Sequence, residues 1–260
     1  MPFREAHGLR FFQFESLEDT QIDHAILTRQ GGVSPAPWSS LNYGRTVGDD
    51  EDRVTENIDR GLSTTGRKLN QTFDVWQVHS ATVVRADRPG LAGGHLKADA
   101  IITNSPYVTL MMRFADCVPI MIYDPHRRAV GVAHAGWLGT ARGVATRLVR
   151  SLRDEYGSEP EDMLAGIGPS IGPDHYPVGA DVVAHFEQAL GDPSREHFHK
   201  TGSEMHLDLW GANEAQLRSA GVRSIEVAEL CTACNLQDWY SHRGEHGRTG
   251  RFGAHLALSS

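Results

Sequence analysis

The 260-residue sequence predicts an α/β fold of mixed α+β type: a single layered domain over residues 1–260, with a mixed β-sheet flanked by helices. Three observations predict it. Short apolar runs alternate along the chain with helical patterns and glycine-rich turns. No internal repeat, low-complexity tract or linker divides the sequence. A chain of this length with 40% hydrophobic residues can also fold around one substantial core, burying roughly 75% of its unfolded surface.

The elements follow in order. AILT, near Ile26, reads as a strand ending at the Gly31-Gly32 turn. After the loop SPAPWSSLNYG, Val54, Ile58 and Leu62 recur four residues apart, which predicts a helix capped by Asp49 or Asp50. Strands are expected at VWQVHS (75–80), ATVVRAD (81–87), DAIITN (99–104), YVTLMMRF (107–114) and PIMIYD (119–124). The turn Asp124-Pro125-His126-Arg127 then joins the last of these to AVGVAHAG (129–136) as a hairpin. GTARGVATRLVRSLRDEYG (139–157) sets Val144, Leu148 and Leu152 on one helical stripe and stops at Gly157. In the second half, LAGIG (164–168), SIEVAEL (224–230) and FGAHLAL (252–258) read as strands. DVVAHFEQAL (181–190) and LWGANEAQLRSAG (209–221) read as helices.

Formal charge is −8 and the sequence pI is about 5.9. Lys and Arg are outnumbered and form no basic block, which argues against a nucleic-acid partner held by phosphate electrostatics. A small phosphorylated substrate needs only a local positive site. The amino terminus lacks the charged and apolar regions of a signal peptide, so mature sequence is expected. No apolar run approaches the roughly 20 residues that span a bilayer, so no membrane association is expected. Three cysteines, an odd number, point to a reducing compartment, and the protein is expected to be cytoplasmic.

Three candidate ligands sit where strands are expected to end: His79 closes VWQVHS, Cys117 follows YVTLMMRFAD, and His134 lies between AVGVA and AGW. Two imidazoles and a thiolate suit zinc, and three protein ligands leave a fourth position for water or substrate. The bland reading has weight. A lone histidine is usually a hydrogen-bonded residue and a buried cysteine a small apolar filler. The gaps of 38 and 17 residues match no short metal motif, so spacing does not carry the assignment.

The whole chain, however, resembles the YfiH-like, laccase-domain family. The matching stretches are TRQGGVS (28–34), SLNYG (40–44), VGDD (47–50), QVHS (77–80), ADAIIT (98–103), ADCVPIMIYDP (115–125), GVAHAGWLGT (131–140), GPSIGPDHYPVG (168–179), CTAC (231–234), SHR (241–243) and TGRFGA (249–254). They occur in family order. The resemblance implies one zinc held by His79, Cys117 and His134, with copper the less expected metal. It also implies a purine nucleoside phosphorylase acting on adenosine, inosine, guanosine and methylthioadenosine, with adenosine deamination as a side activity. Purine nucleoside and phosphate are then the small-molecule partners. The family has also been described as polyphenol oxidase and as peptidoglycan editing factor.

Phosphorolysis needs a cationic site for phosphate, hydrogen bonds to ribose and stabilisation of charge developing at the glycosidic bond. Candidates for substrate binding are Arg29 beside the glycine turn, Asn42 on the same loop, and Arg243 with Arg251 as a second cationic wall. Asp116, beside Cys117, is a candidate acid, base or ligand-orienting group, so Asp116, Cys117 and His134 form the expected catalytic set. The alternative for each arginine is a solvated surface charge, and for Asp116 a turn. The sequence departs from the family where two consecutive arginines are common: Ser241-His242-Arg243 is followed by Gly244, with Arg248 the nearest substitute.

Four rivals have sequence-level marks. A multicopper oxidase needs several His-x-His pairs and a cysteine flanked by histidines. Only His197-Phe198-His199 is present, and Cys117 lies between Asp116 and Val118. A zinc deaminase would pair H-x-E with P-C-x-x-C. His185-Phe186-Glu187 and Cys231-Thr232-Ala233-Cys234 are present, but Leu230 replaces the proline. An amidase cleaving a peptidoglycan precursor could use Cys117 as nucleophile and His134 as base. A non-catalytic binding module would keep the site and show no turnover.

Overall fold

A computed structural model describes residues 2–18, 21–91 and 96–259. Along the chain, β1 (Phe3–Ala6), β2 (Leu9–Phe12) and β3 (Ile22–Leu27) precede α1 (Glu51–Ser63). Then come β4 (Thr72–Asp74), β5 (Val83–Arg85), β6 (Gly90–Leu91), β7 (Ala100–Thr103), β8 (Thr109–Phe114), β9 (Val118–Asp124) and β10 (Ala129–Ala135). Helices α2 (Trp137–Ala141) and α3 (Val144–Tyr156) lead to β11 (Leu164–Ile167), β12 (Pro177–Val178) and α4 (Ala180–Leu190). The chain closes with β13 (Phe198–Thr201), β14 (Glu204–Leu207), α5 (Leu209–Ser219), β15 (Ser224–Val227) and β16 (Phe252–Leu258).

The mixed α+β class is as the sequence predicts, with the strands distributed over more than one sheet. One sheet has seven strands in the order β1-β2-β3-β16-β8-β4-β6, a second has six in the order β15-β11-β9-β10-β7-β5, and a third joins β12, β14 and β13. Both large sheets mix parallel and antiparallel pairs, with β4 parallel to β8 and β5 parallel to β7.

Side-chain alternation explains the layering. Ile26, Leu110 and Met112 of the first sheet meet Ile101, Met121, Tyr123, Val130 and Val132 of the second in a shared inter-sheet core. Their alternate neighbours point outward. Leu27 and Met111 pack on Val54, Ile58 and Leu62 of α1. Ile102, Ile120, Ile122 and Ala133 pack on Leu148, Val149 and Leu152 of α3. The result is four layers, α–β–β–α. Strands buried on both faces read as continuous apolar runs, so the sequence pattern alone does not divide them between sheets.

Helix ends obey local chemistry. Asp50 caps α1 by accepting from the backbone N–H groups of Asp52 and Arg53 at 3.0 and 3.1 Å, a device worth about 1 kcal/mol. The helix expected over 139–157 is two helices, because Gly143 adopts φ +76° between α2 and α3. Gly157, also left-handed at φ +68°, ends α3 as predicted. The strand expected at 75–80 is displaced: pairing occupies 72–74, and only Trp76 bridges beyond it, to Lys97. The terminal hairpin β1–β2 and the β13–β14 hairpin went unpredicted. No helix among the described residues is long and apolar enough to cross a membrane.

Candidate metal centre and active site

The chain crosses between the two large sheets at two of the segments that carry chemistry. His79 lies between β4 of the first sheet and β5 of the second. Ala115-Asp116-Cys117 links β8 to β9 by the same kind of crossing, and His134 stands near the end of β10. Their ligand atoms lie within 4.8 Å of one another, and the two imidazole centroids are 4.9 Å apart. His134 is buried, Cys117 is partly buried and His79 is exposed, so the cluster opens to solvent on one side. His79 and Asp116 both hold left-handed backbone, at φ +57° and +81°, a conformation costly for residues with a Cβ and typical of functional sites.

Asp99, which sequence reasoning missed, organises the cluster. It precedes β7 and is fully buried, at 0% exposure. Its Oδ1 accepts from His134 Nδ1 at 2.9 Å and from the His79 N–H at 3.0 Å. Its Oδ2 accepts from the N–H groups of Val78 and Ser80 at 3.2 and 2.6 Å and from Ser80 Oγ at 2.8 Å. Burial pushes this carboxyl up, but His134 and Ser80 outweigh it and hold the pKa at about 2. The carboxylate fixes Nδ1–H on His134, which leaves Nε2 as the ligand atom; such outer partners are usual behind metal-binding histidines.

Electrostatics within the trio are strongly coupled. Burial opposes ionisation of Cys117, yet the two histidines pull its thiol down to about 6. Burial likewise opposes the His134 imidazolium, yet Cys117 and Asp99 raise it to about 9. The sulfur is thus favoured as a thiolate, the form that binds metals and attacks carbonyls.

Gly136 tests whether a cation fits. A Cβ built there would lie 2.8 Å from Cys117 Sγ and 2.9 Å from His79 Nδ1. Its φ of −76° is ordinary, so the need for glycine is one of space. Two imidazoles, a thiolate and a hollow kept clear by a missing side chain fit a metal ion.

The other predicted residues divide. Asp116 Oδ1 accepts from Thr232 Oγ1 at 2.7 Å, and Oδ2 accepts from the Arg243 N–H at 2.6 Å, so this carboxylate ties three loops together. Arg243 is exposed; its Nη1 donates to Pro177 O at 2.8 Å, and its guanidinium lies 5.1 Å from the Tyr176 ring centroid. Arg251 donates through Nη1 to Gly250 O at 2.8 Å. Burial pushes its guanidinium down, while the charges of Cys117 and Asp116 act the other way, which places it within electrostatic range of the cluster. Among the described residues, Nε and Nη2 of both arginines have no protein hydrogen-bond partner.

Arg29 and Asn42 are committed to the fold. Arg29 donates to Ser39 O at 2.9 Å, Leu236 O at 3.0 Å and Glu245 Oε1 at 3.0 Å, and stacks 4.3 Å from the Tyr240 centroid. Asn42 is 0% exposed; its Oδ1 accepts from the N–H groups of Gly44 and Arg251 at 2.8 and 2.9 Å, and its amide donates to Asp49 at 2.9 Å. Asn42 therefore reaches the site through Arg251. At Gly244 an added Cβ would lie 3.0 Å from Ser241 Oγ, so the loop is closed around the small residue, and Arg248 is exposed.

A second donor cluster joins Cys231 and Cys234 to His175. His185 on α4, which a deaminase signature would require, instead packs its ring 5.7 Å from that of Trp137 on α2.

Fold and site define a four-layer α+β protein with a half-open, metal-compatible cradle of two imidazoles and a thiolate. The chain belongs to the laccase-domain family: residues 23–259 match the sequence model described as multi-copper polyphenol oxidoreductase laccase. A protein named purine nucleoside phosphorylase from Deinococcus radiodurans is 39% identical over 238 residues, 91% of this chain and 89% of its own. The crystal structure of YlmD from Geobacillus stearothermophilus superposes with a TM-score of 0.92 at 32% identity, covering 100% of this chain and 99% of its own. That of the hypothetical protein YfiH from Bacillus licheniformis gives 0.92 at 34% identity, with 99% of each chain covered.

Proposed function

We propose that the chain is a single-domain, cytoplasmic, zinc-dependent purine nucleoside phosphorylase. It would cleave adenosine, inosine, guanosine and methylthioadenosine with phosphate to free base and ribose 1-phosphate, with adenosine deamination as a side activity. The observation that carries the reading is the open side of the His79–Cys117–His134 cradle, with the partly unpartnered guanidinium of Arg251 within electrostatic range of Cys117 and Asp116. The name of the Deinococcus relative supports the same reaction.

In phosphorolysis a phosphate oxygen bonds to the sugar C1′ as the glycosidic C–N bond breaks, and the base departs with the bonding pair and takes up a proton. Zinc held by His79, Cys117 and His134 would supply a Lewis-acidic positive centre for an oxygen ligand. The chain's own groups do the rest. Arg251 and Arg243 would bind the phosphate as planar, charged donors. Asp116 holds the Arg243 backbone at that wall. Asp99 keeps the His134 tautomer and the His79 loop fixed.

A second reading has one specific observation in its favour. Asp99, His134 and Cys117 are disposed as carboxylate, base and thiolate, which suits an amidase acting on a peptidoglycan precursor. His79 as a third donor favours the metal instead, since a ligated thiolate is a poor free nucleophile. The test is metal analysis together with product detection on adenosine and inosine, with and without phosphate. Phosphate-dependent base release by a zinc-loaded protein is the expected result. Amide cleavage by metal-free protein, or phenol oxidation with bound copper, would replace this reading.

A further inference from the structure

The cysteine pair at 231 and 234 has no part in the reaction above. We propose that His175, Cys231 and Cys234 form a second metal site, built for a thiophilic divalent cation such as zinc, that fixes the wall of the first.

The three ligand atoms lie within 4.8 Å of one another, with Cys234 Sγ 3.5 Å from His175 Nδ1 and 3.8 Å from its Nε2. Tetrahedral zinc with bonds of roughly 2.0–2.3 Å needs donors about 3.3–3.8 Å apart, so small side-chain rotations close the set. All three cysteines of the chain are free thiols, so no disulfide consumes the pair. Two cysteines separated by two residues across a turn are the usual half of a sulfur-rich zinc site. The third donor comes from far along the chain, at the end of the short turn Pro173–His175.

The cysteine turn is held in place by hydrogen bonds and close packing. The Gly172 N–H donates to Cys231 Sγ at 3.2 Å, and a Cβ at Gly172 would lie 3.1 Å from Cys231 Cβ. Asn235 Nδ2 donates to Cys231 O at 2.9 Å and closes the cysteine turn. Cys231 is buried, whereas Cys234 and His175 are exposed, so an ion can enter from solvent and keep a fourth, water-filled position. A turn held only by backbone hydrogen bonds would have no need of two thiols and an imidazole converging on one point.

The cluster shares a partner with the first site. Thr232, between the two cysteines, donates to Asp116, the residue before Cys117. Tyr176, the residue after His175, lies beneath the Arg243 guanidinium. A cation at the second site would therefore lock the positions of Asp116 and Arg243 together.

The experiment is metal stoichiometry on reduced full-length protein loaded with Zn2+ and freed of excess, with Co2+ as a spectroscopic probe. The expected content is about two zinc per chain, falling to about one in Cys234→Ser and in His175→Ala. The Co2+ form of either variant should lose part of its thiolate-to-cobalt absorbance. His134→Ala should lose the other equivalent and keep this one, which separates failure at the second site from failure at the first. Because both altered residues are exposed, unchanged circular dichroism of the metal-free variants checks that folding is intact. The proposal is overturned if the variants bind as much zinc as the parent, or if Zn2+ does not protect Cys231 and Cys234 from a thiol reagent.

Discussion

Asp99→Asn is the sharpest perturbation the site offers, because it changes one oxygen to an NH2 group and leaves the shape intact. Each carboxylate oxygen serves at least two donors: Oδ1 takes His79 N–H and His134 Nδ1, and Oδ2 takes the Val78 and Ser80 N–H groups and the Ser80 hydroxyl. Replacing Oδ1 strips two donors of their acceptor, and replacing Oδ2 strips two backbone N–H groups, while the Ser80 hydroxyl can turn to accept from the new NH2 group. A buried donor left unsatisfied costs about 1–3 kcal/mol, and allowing for relaxation the pair should cost about 2–4 kcal/mol. At about 2–4 °C per kcal/mol for a chain of this size, the metal-free variant should melt about 4–16 °C lower. Loss of the carboxylate behind His134 should also weaken metal binding about 10–100-fold. Calorimetry of the metal-free proteins and competition with a chelator for Zn2+ measure the two effects separately. A variant with the parent's melting temperature and the parent's zinc affinity would refute the role assigned to Asp99.

Gly136→Ala should lose metal and remain folded, since the new methyl would occupy space 2.8 Å from Cys117 Sγ while the backbone stays in an ordinary conformation; a zinc-replete Gly136→Ala protein contradicts the cradle. Arg251→Met should raise the KM for phosphate more than about tenfold with little change in melting. Arg29→Met should instead lower stability by about 2–4 kcal/mol through loss of its charged hydrogen bonds, and equal effects from both in both assays would undo the division between them. His24 makes stability pH-dependent. Burial, partly offset by Glu226 and Asp23, lowers its pKa from 6.5 to about 4, and its Nε2 accepts the Phe14 N–H at 3.0 Å, which requires the neutral ring. The unfolded chain takes up the proton near pH 6.5 and the folded chain only near 4. Stability is therefore complete above pH 6.5 and falls by about 1.4 kcal/mol per unit below it, about 2 kcal/mol by pH 5. Denaturant unfolding at pH 7 and pH 5 measures this, and an unchanged slope in His24→Gln would assign the loss elsewhere.

Much of the fold could be read from periodicity. Val54, Ile58 and Leu62 marked α1, and all three are fully buried. The hairpin of β9 and β10 lies where Asp124-Pro125 placed its turn. What periodicity could not give was pairing across long separations: β16 closes the first sheet between β3 and β8, a fact local pattern does not encode. The three candidate ligands came from resemblance, because the crossings that gather them are tertiary. Asp99 had no signal of its own; an aspartate opening an apolar run reads as the first residue of the strand DAIITN until His79 and His134 fold around it. A spacing cue did exist in the cysteine pair, but its partner His175 lies 56 residues before Cys231 and only the fold supplies it.

The crossing of the chain from one sheet to the other bears on how such a site can evolve. Two donors of the first cradle lie on segments that cross from one sheet to the other and the third lies on β10 of the second sheet, so their spacing depends on the apolar filling between the sheets. Gly166 on β11 is one gauge of that thickness: a Cβ there would sit 2.5 Å from the Phe14 ring. Substitutions in this filling change the bite of the cradle without touching a ligand. Metal preference can therefore drift with the packing of hydrocarbon, and two relatives with identical donors can favour different ions.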